Sequence, residues 1–273
     1  MRLFILGLGY TASRLAAVLE NRGWHVAGTS RQSFVDRRQV AAQLERASHV
    51  LSSVPPGEGD PVLDAYGEAL AGSNKWIGYL SSTGVYGDTG GAWVDEGAPI
   101  GGGRRSARAE ADRAWLALGA HVFRLPGIYG PGRSPLDRVL AGKATRVDIP
   151  GQVFSRVHVD DIVRGVIAGF DAPAGAYNLA DDCPAPQSDV VAYACRLLGR
   201  TPPPLMPIDD AGLSPPARAF YDENRRVANG KARRVLGWHP RYPDYRSGLR
   251  ALSAITSPAS ASTAPDAASA DQR

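Results

Sequence analysis

Cysteine is almost missing from this chain: 2 of 273 residues, Cys183 and Cys195. That excludes a disulfide-stapled scaffold. The pair has neither metal-ligand spacing nor a nearby histidine, so two reduced structural thiols are expected and no metal site is predicted. Long apolar runs are missing too. No stretch approaches the roughly 18 residues of a membrane helix, so no membrane association is expected. Leu3-Phe4-Ile5-Leu6 resembles the core of a signal peptide, but it breaks at once into glycines; a mature strand in a cytoplasmic protein is the reading. Nor is there a block of like charge. The 31 basic and 27 acidic residues leave a formal charge of +4, spread along the chain. No basic face interleaved with aromatics appears, so no nucleic-acid partner is expected, and a small anionic ligand suits the balance better.

What remains is ordinary globular composition, 44% hydrophobic and 21% charged, which excludes disorder as the main state. Short apolar runs alternate with helical patterns. Leu3 to Leu6 reads as a strand, Thr11 to Arg22 as a helix and Trp24 to Thr29 as a second strand. His49 to Leu51, Trp76 to Leu80 and His121 to Leu125 continue the strands; 64–70 and 104–118 are the helices between them. This alternation predicts an α/β fold, a Rossmann-type doubly wound parallel sheet with a smaller C-terminal substrate lobe. Residues 1–182 are expected to form the dinucleotide-binding domain, with 133–154 contributing to the second lobe. Residues 183–256 are expected to make that lobe. The stretch 257–273, rich in Ser, Ala, Pro and Asp, reads as a disordered tail. Asp160 or Asp161 is expected to cap a helix over 162–167.

Gly7-x-Gly9-x-x-Ala12 follows a strand and opens a helix, the context a dinucleotide site requires. Gly7 permits a tight turn, Gly9 lets backbone approach a pyrophosphate, and Ala12 allows close packing of helix on strand. Gly7, Gly9, Tyr10, Thr11 and Ala12 are therefore candidate cofactor-binding residues. An NAD protein usually carries Asp or Glu at the tip of the second strand. Here the tip is Gly28-Thr29-Ser30-Arg31. Arg31 and the hydroxyls of Thr29 and Ser30 suit a 2′-phosphate, which makes NADP the expected cofactor, with NAD as the alternative. The other reading of Arg31 is a solvated surface residue.

Several stretches in order resemble the extended short-chain dehydrogenases/reductases, in the group named for NAD-dependent epimerases and dehydratases. They are Gly7 to Ala12; Leu80-Ser81-Ser82-Thr83-Gly84-Val85-Tyr86-Gly87-Asp88; Arg124 to Gly132; Val157-His158-Val159-Asp160-Asp161-Ile162; and Val235 to Pro240. More narrowly, the chain is similar to the atypical YeeZ-like branch. The resemblance implies that Ser82, four residues before Tyr86, holds the substrate oxygen. It places Val54-Pro55, Ser81 and Pro126-Gly127 along the cofactor, and it makes Asp161 a structural cap. The family's Tyr-x-x-x-Lys pair is replaced: Arg108 stands at the Lys position and Arg104 at the Tyr position. Arg108 can hold ribose hydroxyls or phosphate, but Arg104 is no ordinary acid or base because a guanidinium does not deprotonate in proteins. Tyr86 or Tyr129, each following a strand end, is the candidate substitute proton donor; the other reading is that both pack in their turns. Phe154 stands where sugar-nucleotide members carry Arg, with Arg156 two residues on, on the same strand face.

These features predict an NAD(P)-dependent oxidoreductase or an epimerase/dehydratase-type enzyme. Its substrate would be small, anionic or sugar-like, and the protein a monomer or homodimer. The alternative is a non-catalytic NADP-binding redox sensor or partner-binding module.

Overall fold

The computed structural model describes residues 1–103 and 106–256; Arg104 and the tail expected at 257–273 lie outside them. The chain opens with β1 (Arg2–Leu6), α1 (Tyr10–Glu20), β2 (His25–Gly28), α2 (Arg37–Arg46), β3 (His49–Ser52), α3 (Pro61–Leu70) and β4 (Trp76–Ser82). It continues with β5 (Trp93–Val94), α4 (Ser106–Ala117), β6 (His121–Leu125), β7 (Gly127–Tyr129), α5 (Pro135–Leu140), β8 (Arg146–Val147), β9 (Arg156–His158), α6 (Val159–Ala168) and β10 (Gly175–Asn178). Then come α7 (Gln187–Leu197), β11 (Leu205–Met206), α8 (Pro215–Arg218), β12 (Arg226–Val227), α9 (Gly230–Leu236) and α10 (Tyr245–Thr256).

The main sheet has six strands in the order β10-β6-β4-β3-β1-β2, and every pairing in it is parallel. A parallel sheet must be covered on both faces, and the strand sequences answer that need. In β1, Leu3 and Ile5 point to one face, with Leu15, Leu19, Phe123 and Val163. Phe4 and Leu6 point to the other, with Val40, Val62, Tyr66 and Trp115. The period of two divides one apolar run between two cores, and each large side chain so buried is worth about 1.5–3 kcal/mol. β1 lies between β2 and β3, so the winding reverses there. Ligands bind such sheets at the crevice this reversal leaves at the strand C-termini.

Helix starts are fixed by local chemistry. Asp60 accepts from the backbone N–H of Val62 and Leu63 to cap α3, with Pro61 as its first residue. Ser134 and Asp137 form a reciprocal capping box on α5. The cap of α6 corrects the sequence reading. His158, not Asp160 or Asp161, holds the N-cap position, its Nδ1 accepting from Asp160 N at 3.2 Å. Asp161 is fully buried and accepts instead from the backbone N–H of Arg241 and Tyr242. Asp160 pairs with Arg14 of α1 at 2.7 Å.

Helices α5, α7 and α10 pack together around Leu136, Val139, Val190, Val191 and Leu249, building a second lobe over the C-terminal edge of the sheet. Residues 183–256 do not all stay in it. Helix α9 packs on β10 and α6, and Ala232 and Trp238 belong to the same core as Leu3 and Ile5. The segment 230–238 thus returns to the sheet before α10 rejoins the second lobe.

Candidate active site

A cleft of about 820 Å³ runs between the sheet's C-terminal edge and the second lobe. Tyr10, Thr11, Ser53, Pro55, Ser81, Ser82, Thr83, Arg108, Pro126, Gly127 and Tyr129 line its sheet side; Phe154, Arg156, Tyr221, Arg225 and Tyr245 line the other.

The glycine turn shapes one end. Gly7 has φ +91°, and a Cβ there would meet Val54 Cγ2 at 2.9 Å, so both conformation and space require glycine. Its N–H donates to Thr29 Oγ1 at 3.0 Å, and Leu8 N donates to the Thr29 carbonyl at 2.8 Å. Thr29, expected to offer a hydroxyl to a 2′-phosphate, is instead buried and clasps the turn to the tip of β2. Gly9 differs. Its backbone is extended (φ −91°, ψ −171°) and a Cβ would meet nothing within 4 Å. The protein's own packing does not need a glycine there. Gly9 is also the N-cap of α1 and offers no side-chain cap, so the helix presents uncapped N–H groups, a ready anion cradle.

Val54 does not line the cleft; it packs against Gly7, while Ser53 and Pro55 beside it face the opening. Gly7, Gly9, Ala12, Ser30 and Arg31 also lie outside the cleft wall proper. Ala12 is wholly buried beneath α1. Ser30 is exposed, its N–H and hydroxyl engaged with Ser33 Oγ. Arg31 is exposed at the end of β2, which is an edge strand. Tyr10 bridges the opening: its hydroxyl donates to the Pro131 carbonyl at 3.0 Å and the Arg133 guanidinium lies over its ring.

The centre of the site lies at the end of β4. Ser82 Oγ accepts from Gly84 N at 3.1 Å, which leaves its O–H to donate into the cleft. Ser81 is turned the other way and donates to Asp112 Oδ2 at 2.7 Å. Asp112, fully buried, receives a bidentate fork from Arg124, with Nη2 to Oδ1 at 2.7 Å and Nε to Oδ2 at 3.1 Å. Arg124 Nη1 also donates to the Tyr86 hydroxyl at 2.9 Å, which in turn donates to Asn178 Oδ1 at 2.8 Å. Asn178 N donates to Glu96 Oε1. This chain of satisfied groups fixes the floor beneath Ser82. Asp112 on α4 and Arg124 on β6 come from different elements, so their pairing has no local signal in the sequence.

The network decides the position of Tyr86. Tyr86 is 4% exposed, absent from the cleft wall, and burial raises its phenol pKa. The expectation that it hands a proton to a ligand does not fit this placement, because its hydroxyl is spent inside the wall. Tyr129 does line the cleft, but its hydroxyl is sealed from solvent with no hydrogen-bond partner among the described residues, close under Gly248 of α10. Burial drives its phenol pKa upward, away from use at neutral pH. Arg108 on the first turn of α4 stands half-buried in the wall with Ser82, and no hydrogen bond or ion pair engages its guanidinium among the described residues. Ser82 and Arg108 are thus the sequence-expected pair that the fold brings to one surface.

In the second lobe, Arg156 donates from Nη1 to the carbonyls of Phe154 at 2.7 Å and Ala185 at 2.9 Å. Asp181 lies near it, and burial pushes the Asp181 carboxyl up to about 8. Arg225 is paired with Glu223 at 2.8 Å. Cys183 and Cys195 are both free thiols. Among the described residues, no cluster of His, Cys, Asp and Glu could hold a metal ion, and no helix is long and apolar enough to cross a membrane.

No family model matches the chain. Among curated proteins it is 29% identical over 276 residues to Protein YeeZ of Escherichia coli strain K12, covering 88% of this chain and 96% of that one. It is 34% identical over 168 residues to a 3-diazoavenalumate denitrifying reductase of a Streptomyces species; that match spans 56% of this chain and only about half, 54%, of the reductase. Among solved structures, a conserved protein of unknown function from Silicibacter pomeroyi is 43% identical, with a TM-score of 0.84, over 93% of this chain and 98% of that one. A human epimerase family protein solved with NADPH is 18% identical, with a TM-score of 0.74, over 93% and 99% of the two chains. The latter shares the Rossmann-type fold.

Proposed function

Because the chain belongs to the extended short-chain dehydrogenases/reductases, in the YeeZ-like branch of the NAD-dependent epimerase/dehydratase family, we propose that it is an NADP-dependent oxidoreductase acting on a small molecule held between the two lobes. The observation that carries this reading is an uncapped α1 N-terminus, with open space over Gly9 at the margin of the cleft, whose Tyr10 and Thr11 line the same cleft as Ser82 and Arg108. The room over Gly9 fits a pyrophosphate against the helix N–H groups. Thr29 fixes the turn that presents them, and Arg31 at the exposed end of β2 is the residue proposed to meet a 2′-phosphate.

A bound nicotinamide would supply hydride exchange with a carbonyl or hydroxyl carbon. The chain's own contribution is positional and electrostatic. The free O–H of Ser82 is aimed to hold the reacting oxygen. Arg108 supplies a fixed positive charge beside it, to bind ribose hydroxyls or stabilise a developing oxyanion. The Ser81–Asp112–Arg124 network keeps β4 in register beneath. With Tyr86 and Tyr129 both sealed in the wall, proton exchange is assigned to water reaching the open cleft through the Ser82 hydroxyl.

The burial of both tyrosines also favours a second reading, a protein that binds NADP as a sensor without turnover. Two measurements separate them. Calorimetry should show NADP binding more tightly than NAD, with the gap narrowed by Arg31→Ala; equal affinities would remove Arg31 from the site. A panel of aldehydes, ketones and activated-sugar substrates should then reveal NADPH consumption that Ser82→Ala lowers by about a hundredfold or more. Tight NADP binding with no turnover on any of them supports the sensor.

A further inference from the structure

Arg156 combines burial, charge and missing compensation in a way the cofactor does not explain. Arg156 lines the second-lobe half of the cleft. Both of its hydrogen bonds among the described residues leave from Nη1, to the Phe154 and Ala185 carbonyls. They orient the fork and do not neutralise it. No carboxylate forms an ion pair with it among the described residues. The nearby acid, Asp181, accepts from Cys183 N, has its other oxygen unpartnered among the described residues, and is driven toward its neutral form by burial against the pull of Arg156. Desolvation lowers the Arg156 pKa, with Asp181 opposing it in part. A desolvated guanidinium that makes no ion pair is stabilised by an anion that completes it.

The surroundings narrow the anion. Phe154 and Tyr221 meet edge to face at 5.3 Å, and the Arg156 guanidinium lies 6.0 Å from the Phe154 ring centre. Tyr245, Val190, Val191 and Leu249 continue an apolar wall. The acids on this wall are already engaged: Asp137 in the α5 capping box and Glu223 with Arg225. Arg133 and Arg138 on the same cleft are exposed and Arg225 is held by Glu223, so Arg156 is the buried fork among these apolar side chains. A planar monoanion on an apolar body matches both features, since guanidinium and carboxylate pair through two parallel bonds.

We propose that the second-lobe half of the cleft binds a substrate consisting of a carboxylate on a flat apolar body, with Arg156 as the carboxylate anchor and Phe154 and Tyr221 as the wall against its plane. This rests on the reading of the cleft as a two-ligand site, with cofactor on the sheet side and substrate on the lobe side.

The test uses the full chain saturated with NADP. It titrates 2-naphthoate, 2-naphthamide and uridine diphosphate glucose into wild type, Arg156→Lys and Arg156→Met by calorimetry. In wild type, the acid should bind about ten- to a hundredfold more tightly than the amide of the same shape, the range for charge-assisted bonds. Uridine diphosphate glucose should bind more weakly than the acid. Arg156→Met should remove the acid–amide difference, and Arg156→Lys should leave only part of it, since lysine lacks the fork. Equal binding of acid and amide to wild type, no binding of the acid, or tighter binding of the sugar nucleotide overturns the proposal, and none of these depends on a variant folding. NADP affinity is read in the same experiment. Its loss in wild type would instead overturn the cofactor reading, so the two failures are distinct.

Discussion

At the scale of single residues, Gly7 and Gly9 show how two glycines of one motif are held for different reasons. Gly7 is demanded by φ and by Val54; Gly9 is demanded by nothing in the folded chain. Gly9→Ala should therefore cost little stability. A gain of about 0.4–1 kcal/mol from a stiffer unfolded chain is set against a loss of similar size, because alanine is a poorer N-cap than glycine. A melting temperature within a degree or two of wild type, with NADP affinity reduced tenfold or more, is the expected pair of results from thermal melts and calorimetry. A large drop in melting temperature would show that Gly9 serves packing. The glycine motif was legible because its chemistry is local. Ser82 came from the family resemblance, through its place four residues before Tyr86, and the fold sets it on the cleft. The sealed positions of Tyr86 and Tyr129 were not legible, because the groups that enclose them, Arg124, Asn178 and Gly248, come from distant segments.

At the scale of elements, the strands and helices named from alternating apolar runs formed with most boundaries moved by one to three residues, whereas α2 and the individual elements of the second lobe were not read from the sequence. The cap of α6 differed. Asp160 and Asp161 both suit an N-cap by residue type, yet Asp160 is drawn to Arg14 and Asp161 to the backbone of 241–242. That leaves the role to His158. The substitution has a pH consequence. Burial pushes the His158 pKa down to about 4, against the partial opposition of Asp160. A histidine whose pKa is lower folded than unfolded binds fewer protons in the native state. Its contribution is therefore intact above the unfolded value of about 6.5 and is lost as pH falls toward 4. Protonation also removes the Nδ1 acceptor that caps the helix. His158→Asn, which offers a cap oxygen that does not titrate in this range, should flatten the fall of melting temperature between pH 6.5 and 4. Parallel slopes in the two proteins would assign the acid sensitivity to other groups.

At the scale of the whole molecule, the sheet and the second lobe are not drawn from consecutive halves of the chain. Trp238 donates from Nε1 to the Asp161 carbonyl at 2.9 Å and packs in the core that holds Leu3 and Ile5, and α9 covers β10. A fragment ending at 182 would retain all six strands yet leave that face of the sheet open to water. It should be rapidly cleaved by trypsin and fail to bind NADP, whereas the full chain resists and binds; a folded, NADP-binding fragment would show that α9 and Trp238 are dispensable. The consequence reaches into synthesis. Leu3 and Ile5 leave the ribosome more than 200 residues before the Trp238 that walls them in, and every pairing in the main sheet joins strands separated by a crossover, a topology that folds slowly. The dinucleotide end cannot mature before that tryptophan is made. It waits, with its apolar strands exposed, until residue 238 has cleared the exit tunnel, which places the greatest demand for chaperone protection on the nascent chain.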